Sequence, residues 1–313
     1  MIKNYKQLNT TNARKNILDI ASAGLELLNI QKVIERQISL NKDILNIKSE
    51  KGENREYNLS NFSNIFVIAI GKGSSGAAEQ IEKIMGSKIS KGIALDIEKK
   101  NLKVIKSFKG THPLPSAKNA KVTKKIIKLL NNTKSNDLIL FFIFGGGSSL
   151  LCAPDKISIN KLKKYNKQLI SSGKDIYQIN TVRKHLSLVK GGNLAKLAYP
   201  AKMISCIFSD VPGNDINFIA SGPTAKDKTT IEDAQAIGVE FNWPKNIFIK
   251  TPKQEKYFKN TENILLFSNQ KPLQEMKKTA EKLGFNTEIY SYTIKGEARK
   301  VGKKLLKLIQ DKK

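Results

Sequence analysis

The sequence is poor in the residues on which many reaction classes depend. Two histidines, two cysteines and one tryptophan occur among its 313 residues. His112 and His185 stand far apart, and neither has a Cys/His cluster beside it, which excludes a zinc centre of the usual spacing. Cys152 and Cys206 lie in or beside apolar runs; two such thiols in a chain this long exclude a disulfide scaffold and point to a reducing cytoplasm. No apolar run approaches the ~20 residues that a membrane-spanning helix needs. The start, Met1 to Lys6, leads into polar sequence without a signal-peptide core. A soluble protein with no membrane partner is expected. Patterns of the form G-x-x-x-x-G-K-[ST] and G-x-S-x-G are also missing, which argues against P-loop NTPases and α/β-hydrolases.

Acidic residues are scarce as well. Asp and Glu total 27 against 55 Lys and Arg, a net charge of +28. The excess is almost all lysine, since the arginines are only Arg14, Arg36, Arg55, Arg183 and Arg299. Readers of nucleic acid favour arginine forks and stacking aromatics, and with aromatics at 7% no such cluster occurs. No specific nucleic-acid partner is expected. The spread lysines read as solvated surface that also attracts small anions.

What the chain does have is apolar strand sequence and glycine. With 40% hydrophobic residues it can bury a core. The run Leu138–Phe144 is apolar throughout and ends in Gly145-Gly146-Gly147-Ser148-Ser149. That junction reads as a buried parallel strand whose carboxyl end leaves backbone N–H groups free to meet an anion. Ile65–Ile70, Gly92–Ile97, Leu102–Phe108, Met203–Phe208, Ile264–Phe267 and Glu288–Tyr292 read as further strands. Helices are expected over 11–40, from about 77, over 116–130, near 160–172 and 176–190, and over 272–283 and 296–310. Residues 240–262 look most like a linker. Alternation of strand and helix predicts an α/β fold: a doubly wound, mostly parallel, Rossmann-like sheet with helices on both faces.

Three constellations carry chemistry. Gly71-Lys72-Gly73-Ser74-Ser75-Gly76 matches G-x-G-x-x-G between a strand and a helix, and Asp96 lies at the spacing of a ribose-binding acid. Lys72 inside that turn suits a phosphate or a transferring phosphoryl group better. On a helix over 180–187, several of Asn180, Arg183, Lys184 and Ser187 would share one face. With no acid beside them, they make a clamp for carboxylate or phosphate, or a solvated basic face. Asp210 closes the strand at 203–208, with Asp215 shortly after. At a strand tip beside a phosphate loop, Asp210 is placed to hold Mg²⁺ or orient a hydroxyl, or it forms an Asx turn. His112, in a Pro-flanked loop, is open to ligand contact or a structural hydrogen bond.

Taken together, Gly71-Lys72, Thr111–Pro115 (THPLP), Gly145–Ser149, Asn180–Gly192 (NTVRKHLSLVKGG), Ser209–Asp215 (SDVPGND), Ala220–Thr224 (ASGPT) and Lys295–Arg299 (KGEAR) resemble the type-2 glycerate kinase family. The resemblance covers essentially the whole chain. It implies ATP-dependent phosphorylation of D-glycerate at the 2-hydroxyl, with Mg²⁺, giving 2-phosphoglycerate. On that resemblance Lys72 acts at phosphoryl transfer, and Asp210 places the metal or the hydroxyl. Gly71, Gly145, Gly146, Gly147, Ser148 and Ser149 hold phosphates, while Asn180, Arg183 and Lys190 bind the substrate. The family continues past KGEAR into a second domain with GGE[TS] and GGRNQE motifs and an arginine that have no counterpart here. The expectation is an amino-terminal domain, 1–262, and a closing β-α-β-α segment, 263–313. A truncated product, one piece of a split gene and a binding remnant all fit. Catalysis would then need a separate chain carrying the second domain. Two rivals stay open: an NAD(P)-dependent hydroxypyruvate reductase, resting on Asp96, and a non-catalytic phosphosugar-binding module, resting on Gly73-Ser74-Ser75.

Overall fold

The computed structural model describes residues 2–294 and 296–310, so Lys295 of the KGEAR stretch lies outside them. Nine strands among the described residues form two sheets. β1 (Ile38–Asn41), β2 (Ile44–Lys48) and β3 (Asn54–Asn58) make an antiparallel meander. β4 (Asn64–Ile70), β5 (Lys91–Asp96), β6 (Ile105–Lys109), β7 (Asp137–Ile143), β8 (Lys202–Phe208) and β9 (Thr261–Phe267) make a six-stranded, all-parallel sheet in the order β6-β5-β4-β7-β8-β9.

The apolar runs explain this sheet. Every residue of β7 is buried, and so are most of β4 and β8, because helices cover both faces and leave no polar side to the alternation. On one face Val67, Ala69, Leu140, Phe142 and Cys206 pack with Ala77, Ala78 and Ile81 of the helix Ser74–Met85 and with Ile34 of the helix Ile30–Gln37. The helix Ala117–Leu130 lies over the opposite face, where its Leu129 approaches Phe66, Ile93 and Phe108. The α/β expectation holds, helices on both faces included.

Strand order reverses between β4 and β7, since β5 and β6 follow on one side of the pair and β8 and β9 on the other. Carboxyl ends of parallel strands at such a switch leave a crevice in which ligands bind.

Two compact units divide the described chain. The larger comprises Ile30–Asp210 and Ile216–Phe267 and holds both sheets. In the smaller, built from residues up to Asn29, Val211–Asp215 and those from Ser268 onward, the helix Asn12–Glu26 meets the helix Gln270–Lys282. Their approach is close at Gly24, where a Cβ would stand 2.6 Å from Met276 Cγ. The domain boundary read at 262/263 falls inside β9, which is paired along β8.

Several expected elements differ. The 11–40 helix breaks into Asn12–Glu26 and Ile30–Gln37, and β1 then follows. Glu288–Tyr292 forms no strand. The linker-like 240–262 stretch buries Trp243, Ile247 and Phe248 in a second core with Tyr165, Leu169 and Val182, and Trp243 stacks on Tyr165 at 3.9 Å between ring centroids. Few but large apolar anchors do this, and average polarity hides them.

Candidate active site at the carboxyl ends of the parallel strands

The loop after β4 approaches the loop after β7 closely. A Cβ on Gly71 would lie 2.5 Å from the Phe144 carbonyl oxygen, and Gly71 has a φ of +119°, so only glycine fits there. Lys72 donates its backbone N–H to the Gly145 carbonyl at 2.9 Å, which ties the loops together while its side chain stays exposed. Gly71 N–H is engaged with Leu95 O at 3.2 Å. At the start of the helix Ser74–Met85, buried Asp96 accepts N–H bonds from Gly73 (3.1 Å) and Ser75 (2.8 Å). The carboxylate that the spacing assigned to a ribose therefore caps the helix instead. Serines 74 and 75 are also bound internally, Ser74 Oγ to Leu95 O and Ser75 Oγ to Glu98 O, both at 3.0 Å. Most of the first glycine loop's polar groups are thus taken up internally, while the Lys72 ammonium stays available to a ligand.

The second glycine loop is open. Gly145 and Gly146 donate their N–H groups to no protein acceptor among the described residues. A Cβ on Gly145 would collide with Asp210, 2.0 Å from Oδ2. One on Gly146 would sit 3.2 Å from His112 Nε2 and 3.2 Å from Lys72 Cε. Side chains from the ends of β4 and β8 and from the loop after β6 thus converge on two bare peptides. Gly147 lies against Ala220 and begins a single turn, Gly147–Leu150. Ser148 Oγ meets Ser221 Oγ at 3.1 Å, and Ser149 Oγ donates to the Pro113 carbonyl.

The substrate-side residues separate. Asn180 is buried, accepting from Ser221 Oγ at 2.7 Å and donating to Ile176 O at 3.0 Å, which ties it to the ASGPT turn. Arg183 donates Nε to Asn166 at 2.9 Å and lines, with Ser148, Ser187 and Lys190, a small cavity beside the glycine loop. Lys190 donates to the Leu151 carbonyl, and burial presses its ammonium down to about 8. Neither cation forms an ion pair among the described residues, and burial also lowers Arg183. Lys184, expected on the same acid-free face, turns away and is paired with buried Asp227 at 2.9 Å. That acid lies 43 residues on in sequence, beyond the reach of helix spacing. His185 is buried beside the same carboxylate, its Nδ1 2.8 Å from Ile249 O.

Desolvation first and the Lys72 ammonium second hold His112 below its ordinary value, with the Asp210 carboxylate opposing. The imidazole is neutral near pH 7. Sequence reasoning left His112 open between ligand contact and a structural hydrogen bond; its place in THPLP, after the third strand of one half-sheet, was the available signal. Among the described residues no three Asp, Glu, His or Cys side chains cluster as a metal site.

Residues 16–249 match a family described as a domain of unknown function, DUF4147. The chain is 34% identical over 263 residues to the D-glycerate 2-kinase of Thermotoga maritima, covering 81% of this chain and 62% of that protein. A crystal structure of a glycerate kinase from the same organism superposes with a TM-score of 0.78 at 29% identity, over 95% of this chain and 69% of that one. The chain belongs to the type-2 glycerate kinase family. It matches the family's amino-terminal region and spans about six-tenths of that curated relative. A shorter stretch, 134 residues at 46% identity, matches a protein named putative hydroxypyruvate reductase from Agrobacterium vitis, covering 42% of this chain and 31% of that protein. No helix among the described residues is long and apolar enough to cross a membrane.

Proposed function

We propose that the chain carries the phosphoryl-transfer half of a glycerate 2-kinase, moving the γ-phosphoryl group of ATP to the 2-hydroxyl of D-glycerate to give 2-phosphoglycerate. One observation carries this reading: Lys72, Asp210 and the free N–H groups of Gly145 and Gly146 converge at the sheet's switch point. Phosphoryl transfer asks mainly for positioning and for charge placed where it develops, and a cation with bare peptide donors supplies both. Lys72 and the Gly145–Gly146 peptides face the phosphates, and Asp210 orients the acceptor hydroxyl. Mg²⁺ enters as part of the nucleotide substrate, held chiefly by phosphate oxygens, in keeping with the absence of a cluster of three metal-ligating side chains among the described residues. Arg183 and Lys190, two cations without a counter-ion among the described residues, suit the glycerate carboxylate.

The printed names of the relatives support the kinase, and the reductase name on the shorter match supports the rival. Engagement of Asp96 with the helix it would have shared with a dinucleotide weighs against that rival. Calorimetric titration separates them. Heat with MgATP and with D-glycerate but none with NADH supports the kinase, and the reverse pattern ends it. Turnover is then measured by a coupled assay of ADP release, with the chain alone and with the carboxyl-terminal part of a relative added.

A further inference from the structure

We infer that His112 is a further catalytic residue of this site: its imidazole takes the proton from the acceptor hydroxyl as the phosphoryl group arrives. This rests on the kinase reading above and adds a base to it. His112 Nε2 lies by Gly146, beside the Lys72 stem and one peptide away from Asp210, so it borders the space where the γ-phosphoryl group and the hydroxyl must meet. Neither ring nitrogen has a protein partner among the described residues, which leaves Nε2 able to accept.

The loop that carries His112 is built to hold it still. Buried Asn119 accepts the Thr111 N–H at 2.8 Å and donates to both Thr111 O and Ser149 O at 2.9 Å. The next residue along, Pro113, accepts from Ser149 Oγ. One amide thereby staples the His112 loop to the glycine loop, and such fixed geometry is what proton transfer demands. The charged groups facing the imidazole are Lys72, from the end of β4, and Asp210, from the end of β8. Burial first, and the Lys72 ammonium after it, favour the neutral ring, the form that can accept a proton.

The step balances without another reagent. The 2-hydroxyl oxygen forms a bond to the γ-phosphorus, and the bond from that phosphorus to the bridging oxygen breaks, its electron pair leaving with ADP. The hydroxyl proton passes to His112 Nε2 and from there to water. Lys72 and Asp210 then flank an imidazolium whose charge Asp210 offsets.

With only two histidines in the chain, nuclear magnetic resonance of histidine-labelled protein gives two imidazole signals, and His112→Gln assigns them. Calorimetry on the same sample establishes whether D-glycerate binds in the presence of a non-hydrolysable ATP analogue. The proposal expects the His112 signal to shift and its titration to move on adding glycerate, with His185 unmoved. It also expects His112→Gln to lower kcat by about 100-fold or more with KM for glycerate nearly unchanged, and to remove the acid limb of the pH profile. Glycerate heat without any response of His112, or a variant within about threefold of wild-type kcat, overturns the inference and leaves the kinase reading standing. Absence of glycerate binding ends both.

Discussion

The Asp210 carboxylate lies in the space that any side chain at position 145 would claim, with Oδ2 2.0 Å from where a Gly145 Cβ would be. Glycine is required here by a neighbour rather than by its own backbone, and the neighbour is the acid proposed to orient the hydroxyl. Gly145→Ala is expected to push that carboxylate aside and lower kcat about 100-fold, the scale of an ångström's misplacement. Steady-state kinetics beside an unchanged far-ultraviolet circular dichroism spectrum checks it; wild-type kcat would detach Asp210 from the chemistry.

Lys72 is exposed and makes no ion pair among the described residues, so the fold does not need its charge. Lys72→Met is expected to remove phosphoryl transfer by a factor of about 1,000, the upper range for one lost electrostatic donor. Its thermal midpoint should match the parent's. Retained turnover would displace this lysine from its role.

Buried Lys190 is a cation held at a cost, its pKa pressed by burial from 10.5 to about 8. The unfolded chain binds more protons than the folded one between those values, so stability rises as pH climbs from about 8 towards 10.5. At neutral pH the desolvation opposes folding by roughly 3 kcal/mol, on the usual conversion of pKa into free energy. Lys190→Met is therefore expected to raise the thermal midpoint while weakening glycerate binding by tenfold or so (about 1.4 kcal/mol). Calorimetry and a melting curve on one sample test both halves. A variant that is less stable and binds glycerate normally would make the lysine structural.

The buried group around Asp227 sets the acid stability of the larger unit. Burial holds His185 below its ordinary 6.5, against its hydrogen bond to the Ile249 carbonyl and the Asp227 charge, so the unfolded chain takes up this proton first. Stability should fall as pH drops below about 6.5. Burial opposes charge on Asp227, but Lys184 and the Thr229 N–H outweigh it and hold the carboxyl below 3.8, so its contribution survives until strong acid. Urea unfolding from pH 7 to 5 should show a slope that flattens in His185→Gln. Asp227→Asn, which strands buried Lys184, should cost about 3–5 kcal/mol at neutral pH. A His185→Gln slope like the parent's would place the proton uptake elsewhere.

Long apolar runs were legible because burial on both faces leaves a strand no polar option, and β4, β7 and β8 stand where Ile65–Ile70, Leu138–Phe144 and Met203–Phe208 predict them. The meander β1–β3 was not read. The buried positions of β2, Leu45 and Ile47, alternate over only a few residues within asparagine- and lysine-rich sequence. The site shows a similar division. Spacing located Asp96 correctly beside the first glycine loop but could not say that the loop's own N–H groups would take it. Likewise, the Asn180–Ser187 face looked free of acids because Asp227 reaches Lys184 from a distant loop. His112 and Gly146 meet only through the parallel order of the strands, which no local pattern encodes.

Asp96 carries one more consequence. Tethered to the chain, its carboxylate is a resident competitor for the helix start at Ser74, and no cellular concentration of dinucleotide can dilute it away. An outside anion at that spot would have to displace a carboxylate already bonded to the Gly73 and Ser75 N–H groups. Shortening or neutralising this one acid is the change that would reopen it to outside anions.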